Sequence, residues 1–232
     1  MFDWLFKKRK REQSEPKPAR EHYTDSLPLL EPAQEKFKVG DFNAARELAE
    51  AYTQDTRPKL AREARKLVAL SFFREGRYAE SSALFEKLAD GSNLPSDWFN
   101  LTTASTLGGD VEKGRTSFDN AVSYYKYHGK QEDLSIPNMT FYYMQCLKDV
   151  GQFERAFEQL KYLGNIYREL VITDSTFLWI RGVPFFEHTV DAAKGILSQI
   201  DPNAARSWVT SLKEKVDDDG KSYLLKVLTE QS

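Results

Sequence analysis

Apolar and polar residues alternate along this chain with the period of amphipathic helices, and glycines interrupt the pattern at regular points. The clearest case runs from Gly151 to Leu163, where a large apolar residue follows the glycine by two positions and small and apolar residues continue at helical spacing. Glycine adopts a positive φ readily, which suits a tight turn between two helices. The pattern therefore predicts an antiparallel helix pair with Gly151 at its corner.

The same spacing occurs four times. The corner glycines are separated by 36, 33 and 42 residues, and a period in this range is typical of stacked two-helix units. The pattern predicts an all-α chain of four hairpins. Its four copies are Gly40, Phe42, Ala45, Ala49, Tyr52; Gly76, Tyr78, Ser81, Phe85, Leu88; Gly109, Val111, Gly114, Phe118, Ala121; and Gly151, Phe153, Ala156, Leu160, Leu163.

Turn-forming and polar stretches separate the units. We expect eight helices over about 29–39, 42–52, 60–74, 78–88, 95–107, 111–127, 137–149 and 153–170. The polar connection 128–135 is longer than the others and accounts for the 42-residue interval.

After residue 172 the spacing is lost. With Gly182 at a corner, Pro184, Glu187 and Asp191 stand where large or small apolar residues are expected. Terminal units of stacked repeats depart from the consensus because one face meets water. We therefore divide the chain into a disordered basic and amphipathic tail (1–22), four hairpins (23–172), and divergent helices ending in a cap (173–232).

The four copies resemble tetratricopeptide (TPR) repeats in degenerate form over about residues 27–170. Trp98 and Leu101 match the large residues of the first TPR helix. Thr102 and Met144 replace the glycine or alanine of that helix, which predicts a filled helix contact in units three and four. The resemblance implies a right-handed α-solenoid whose first helices line a concave surface.

A partner site is therefore expected on the first helices. By the geometry of the family, the residues that project into the groove are Lys66, Phe73, Phe99, Asn100, Thr103, Asn138, Phe141, Tyr142 and Gln145. Family members that clamp a carboxylate tail use additional cations, and Phe99 and Phe141 occupy such positions here. The resemblance thus implies a protein or peptide partner held by aromatic anchors, amides and hydroxyls, with Phe73 and Tyr142 alternatively packing between units.

Charge and composition add one candidate segment. The formal net charge is −2, but residues 1–22 alone carry +3. Their first eleven residues place four apolar side chains before a basic block: Phe2, Trp4, Leu5, Phe6, Lys7, Lys8, Arg9, Lys10 and Arg11. We expect a disordered tail without a specific role. Weak contact of these residues with an anionic membrane surface is the first alternative, and a nuclear address or a nucleic-acid arm is the other.

The sequence offers little for catalysis. The three histidines are scattered, and His188 with Asp191 is the nearest approach to a reactive pair. Neither a Walker-type phosphate loop nor metal-ligand spacing occurs, and the acidic run 217–219 is interpreted as a helix end. Cys146, the sole cysteine, is expected in the core of a protein from a reducing compartment. We expect a non-catalytic cytoplasmic scaffold, peripheral to the membrane in one alternative, with no cofactor, metal or nucleic acid: an adaptor, a secretion chaperone or a toxin-neutralising partner.

Overall fold

The structure is a computed structural model that describes residues 28–128 and 134–229. Within these ranges it contains a 3-10 turn, Pro28–Leu30, twelve α-helices and no strand. The helices are α1 Glu31–Lys38, α2 Phe42–Glu50, α3 Pro58–Arg74, α4 Tyr78–Ala89, α5 Pro95–Leu107, α6 Val111–His128, α7 Ile136–Asp149, α8 Phe153–Leu170, α9 Ser175–Ile180, α10 Phe186–Leu197, α11 Pro202–Lys213 and α12 Asp218–Thr229.

The predicted corners share one backbone geometry. Each corner glycine has a positive φ, between 74° and 91°. Its N–H donates to the carbonyl three residues earlier, and the next N–H donates to the carbonyl five residues before it. These two bonds define a Schellman motif, in which a left-handed residue closes the helix and satisfies its last carbonyls. The helix pairs α1/α2, α3/α4, α5/α6 and α7/α8 therefore turn at Gly40, Gly76, Gly109 and Gly151.

A fifth corner of the same kind lies at Gly182, where the sequence pattern predicted a loss of the motif. Its φ is 67°, and the same two hydrogen bonds form, from Gly182 to Trp179 and from Val183 to Leu178. The following helix starts two residues later than in the other units. With that shift the repeat spacing reappears as Phe186, Thr189, Ala193 and Ile196, each 0–1% exposed.

The hairpins stack in sequence order, each packing against its neighbours. α2 packs on α3, α4 on α5, and α5 directly on α7, so first helices form an inner layer. The second helices are joined at the surface by ion pairs, Lys113–Glu86 at 3.1 Å between α6 and α4, and Arg155–Glu112 at 2.5 Å between α8 and α6.

The C-terminal helices continue the stack differently. α9 has only six residues, and α10 packs against both α7 and α8. α11 packs on α8 and α12 closes against α10 and α11. The acidic run does not end α11 as predicted: α12 begins at Asp218, and Asp217 caps it by accepting the Gly220 N–H at 3.0 Å.

Candidate functional site: the inner face of the first helices

The spacing of the inner helices is fixed by a buried ion pair. Arg62 on α3 donates to the carboxylate of Asp97 on α5, which is 1% exposed and also accepts the hydroxyl hydrogen of Ser92 at 2.5 Å. Because removal of one partner would leave a buried charge unpaired, the pair holds α3 and α5 at one separation. The sequence pattern did not identify this pair, since its members stand 35 residues apart.

Three of the predicted anchors are core residues. Phe73, Phe99 and Phe141 are each only 6% exposed. Phe73 packs edge-on against Tyr78 with ring centroids 5.4 Å apart, and the other two belong to one large hydrophobic cluster. Little of each ring is open to a partner in this conformation, which for Phe73 agrees with the alternative of packing between units. That these rings anchor a partner stays a prediction of the sequence.

Thr103 is also withdrawn from the groove. Thr103 is 8% exposed, and its hydroxyl donates a hydrogen bond to the carbonyl oxygen of Asn100 at 3.0 Å within α5. A hydroxyl group that donates its hydrogen to a carbonyl of its own helix cannot donate the same hydrogen to a ligand. The sequence pattern placed Thr103 on the correct helix but could not show how closely the neighbouring helix approaches it.

The remaining predicted residues stay partly open. All are half-buried, and they come from three successive first helices: Lys66 on α3, Asn100 on α5, and Asn138, Tyr142 and Gln145 on α7. We call this set the inner polar row. Within the described residues, no hydrogen bond is formed by the side-chain amides of Asn100 or Asn138. Each such amide offers two donors and an acceptor.

The electrostatics of the row are mild. Gln145 accepts a hydrogen bond from Lys148 at 3.3 Å, and Lys148 lies 3.6 Å from Asp149. Tyr142 packs edge-on against Phe141 at 5.2 Å, and burial raises the pKa of its hydroxyl above the usual value. The hydroxyl therefore stays protonated at physiological pH, and the row presents neutral polar groups with cations at Lys66 and Lys148.

The other sequence candidates do not form a reactive site. His188 is exposed and packs against Phe185, while Asp191 accepts the Tyr223 hydroxyl at 2.9 Å. Cys146 is fully buried, and that burial raises its thiol pKa. In the described ranges no three His, Cys, Asp or Glu side chains are grouped to hold a metal, and no described helix has the length and apolarity needed to cross a membrane. The predicted membrane-contact residues, 2–11, lie outside the described residues.

A surface that the sequence pattern missed lies near the fifth corner. Trp179 and Ile180 on α9 are 66% and 69% exposed, and Val171 and Ile172 just before α9 are 44% and 41% exposed. α9 has only six residues, and it is bounded by its N-cap Asp174 and by the corner at Gly182.

Comparison with solved structures identifies the architecture. The chain superposes on nearly identical TPR-like repeats from a Podosopora anserina protein described as a kinesin light chain, with a TM-score of 0.58 and 15% identity over 88% of this chain and 96% of that one. A protein from Bacteroides ovatus described as a protein-binding protein matches with a TM-score of 0.36 and 11% identity, over 89% and 97% of the two chains.

Comparison of sequences found no match, either to a family model or to a curated protein sequence. Low identity with a shared helix order is expected of stacked repeats, because the core requires apolar character and size rather than particular residues. The repeated helix pairs, their glycine corners and the superposition together give this chain the fold of a TPR-like helical repeat protein.

Proposed function

We propose that this protein is a non-catalytic scaffold that binds an extended polypeptide along the inner polar row. The observation that carries the proposal is the pair of half-buried amides, Asn100 and Asn138, on successive first helices. An extended peptide exposes backbone N–H and C=O groups along its length, and side-chain amides can bond to both. The partly exposed ring of Tyr142 would contact an apolar side chain of the same peptide.

The buried phenylalanines limit the kind of ligand. Because Phe73, Phe99 and Phe141 are each only 6% exposed, these rings offer little surface against which a large anchor side chain could pack. Affinity would then come from main-chain hydrogen bonds and from shallow contacts, and Lys66 and Lys148 would favour a peptide with acidic residues nearby. This arrangement suits an adaptor that holds extended segments.

The first prediction concerns the two amides. Peptides selected on the full chain from a phage-displayed random library should bind Asn100→Ala/Asn138→Ala at least about fivefold more weakly, because two hydrogen bonds of roughly 0.5–1.5 kcal/mol each are lost. The affinities are measured by isothermal titration calorimetry with the selected synthetic peptides. Melting temperature should be unchanged, since the amides make no hydrogen bond within the described residues.

The matched control changes two asparagines on second helices. Asn120 on α6 and Asn165 on α8 lie in the outer layer. Asn120→Ala/Asn165→Ala should bind the selected peptides as the unchanged chain does. Equal weakening in both double variants, or no weakening in either, would remove the inner polar row as the site.

The location of the scaffold belongs to the proposal as well. A single cysteine, fully buried, supports a reducing cytoplasmic compartment. Peripheral attachment through residues 2–11 stays a prediction of the sequence. Its test is vesicle flotation of the full chain against a chain that begins at residue 12, at low and moderate salt, with equal flotation of the two counting against attachment.

A further inference from the structure

Four exposed apolar residues form a surface that we call the C-terminal apolar patch: Val171, Ile172, Trp179 and Ile180. Leu178, which is fully buried, anchors α9 to the core, and Arg181 covers the ring of Phe177 at 3.6 Å. The neighbouring side chains of the same helix are left in solvent. Because α9 is about 9 Å long, the four patch residues lie within reach of one short segment.

The backbone is strained at Val171, within the patch itself. Val171 has φ 65° and ψ −45°, and the N–H of Ile172 donates to the carbonyl of Leu170 at 2.7 Å, which makes a γ-turn around a β-branched residue. Such a conformation is rare and costs free energy. Strain of this kind persists where neighbouring contacts enforce it, and it is concentrated at functional sites.

Asp217 enforces this turn. Its carboxylate accepts the N–H of Thr173 at 2.8 Å and the Thr173 hydroxyl hydrogen at 2.5 Å, and its own N–H donates to the carbonyl of Val171 at 2.9 Å. These contacts join the start of α12 to the segment that bears the patch. They also bring the next two carboxylates, Asp218 and Asp219, to the border of the patch.

The size of the patch favours a short ligand segment. At the observed exposures the four residues present on the order of 400 Å² of surface, within the range of functional patches but about half of what each partner contributes to a stable protein–protein interface. A second folded copy would therefore find too little surface here. A segment with three or four apolar side chains would cover it.

This chain contains a segment with the complementary chemistry. Phe2, Trp4, Leu5 and Phe6 match the apolar patch in number, and the five cations that follow, residues 7–11, match the acidic border at Asp218 and Asp219. The side chain of Asp218 is 96% exposed, although it also pairs with Lys221 at 3.0 Å. Apolar contact flanked by opposite charges fixes both the affinity and the direction of such a segment.

The connecting chain is long enough. Residues 7–27 separate the apolar group from the first described residue, and fully extended they span at most about 70 Å. The inner layer steps through α1, α3, α5, α7 and α10, and at 8–10 Å between packed helices that distance is about 40 Å. We propose that residues 2–11 dock on the C-terminal apolar patch of the same chain, so that the two ends of the solenoid are linked.

The test is photo-crosslinking in the full chain. Trp4 is replaced by p-benzoylphenylalanine, the protein is irradiated in dilute solution, and the products are mapped by mass spectrometry. Crosslinks to residues 171–180 or 218–219 at the mass of one chain are expected. Trp179→Ser/Ile180→Ser should reduce their yield at least about fivefold, because the two most exposed of the four apolar side chains that the segment would cover are removed.

Two control variants accompany it. Val39→Ser removes an apolar side chain that is 75% exposed at the far end of the stack, and it should leave the crosslink yield unchanged. Asp218→Lys/Asp219→Lys should lower the yield, and added salt should lower it in the unchanged chain. Circular dichroism confirms that each variant is folded.

Several results would overturn the proposal. They are crosslinks that map to α3, α5 or α7, a product at the mass of two chains, and a yield that Trp179→Ser/Ile180→Ser does not alter. A fourth is contact of position 4 only with added phosphatidylserine vesicles and never with the patch, which would assign residues 2–11 to a lipid surface instead.

Discussion

At Gly114 the absence of a side chain sets the distance between α5 and α6. A Cβ at this position would lie 2.1 Å from Oγ1 of Thr106 and 3.3 Å from the carbonyl oxygen of Thr102. Gly114 therefore makes room for the side chain of Thr106, whereas its contact with Thr102 is to the backbone carbonyl and not to the side chain.

The close contact between Gly114 and Thr106 predicts an effect on the stability of the fold. Gly114→Ala should lower the free energy of unfolding by about 1–3 kcal/mol, since the added methyl group overpacks a closed contact. Removal of the opposing hydroxyl in Gly114→Ala/Thr106→Ala should recover part of the loss. Urea denaturation followed by circular dichroism measures both values.

Gly195 provides the control for that experiment. It lies in the last turn of α10, and a Cβ there meets only Cδ of Lys148 at 3.5 Å, which is ordinary contact. Gly195→Ala should leave stability unchanged or raise it by up to about 1 kcal/mol, because alanine favours the helix. If Gly114→Ala behaves like Gly195→Ala, the tight α5–α6 contact is not present in solution.

Single residues also show how far sequence reasoning extends. The corner glycines were predicted because a positive φ restricts the residue type at the corner itself. The burial of Phe99 and Phe141 was not predicted and that of Phe73 was left as an alternative, because burial here depends on the distance between helices. An aromatic residue on the inner side of a helix has the same sequence signature whether the neighbouring helix covers it or leaves it open.

At the scale of elements, Asp217 connects the end of α8 to the start of α12. Burial of the carboxylate opposes ionisation, but hydrogen bonds from Thr173 and from the Gly220 N–H outweigh it and lower the pKa of Asp217 below its ordinary value of 3.8. A carboxyl group whose pKa is lower in the folded state stabilises the fold above its unfolded pKa. That contribution is lost as the pH falls from 3.8 through the lowered value.

The corresponding prediction uses Asp217→Asn. An amide can still cap α12, but its NH₂ group would face the Thr173 N–H where the carboxylate oxygen accepts a hydrogen bond. We expect a loss of about 2 kcal/mol in unfolding free energy near neutral pH, typical of hydrogen bonds to a charged group. The difference from the unchanged chain should shrink as the pH is lowered below 3.8, and chemical denaturation at several pH values measures it.

Asp218→Asn is the matched control, because its side chain is almost fully exposed and pairs only with Lys221 among the described contacts. An exposed ion pair contributes little, so this variant should lose less than about 1 kcal/mol. If the loss at Asp217→Asn does not change with pH, the Asp217 carboxyl group is not ionised in its contacts with Thr173 and Gly220.

At the scale of the whole molecule, the buried residues within 28–128 and 134–229 form three clusters of unequal size. Two small clusters, built largely from alanine and leucine, lie between the first three units. One large cluster runs from Phe99 in α5 to Leu224 in α12. It crosses residue 172, so the C-terminal helices share a core with units three and four. Stacked repeats gain stability from each interface separately, which predicts uneven stability along the chain.

Hydrogen exchange measures this unevenness. Amides in α1–α3 should exchange with a lower opening free energy than amides in α7, α8 and α10, because fewer large apolar side chains are buried around them. Mass spectrometry of peptic fragments at increasing labelling times resolves the two regions. Equal protection across the chain would instead indicate that all units unfold together.

The sequence by itself determined the helix pairs, their corners and the order in which they follow one another. These features depend on local φ preferences and on the periodicity of apolar residues, and both can be evaluated from the sequence alone. Only the tertiary structure decided which inner side chains are covered, that a fifth corner with a two-residue insertion exists at Gly182, and that Trp179 and Ile180 remain exposed. Those outcomes depend on the spacing between helices, which is set jointly by residues far apart in the chain.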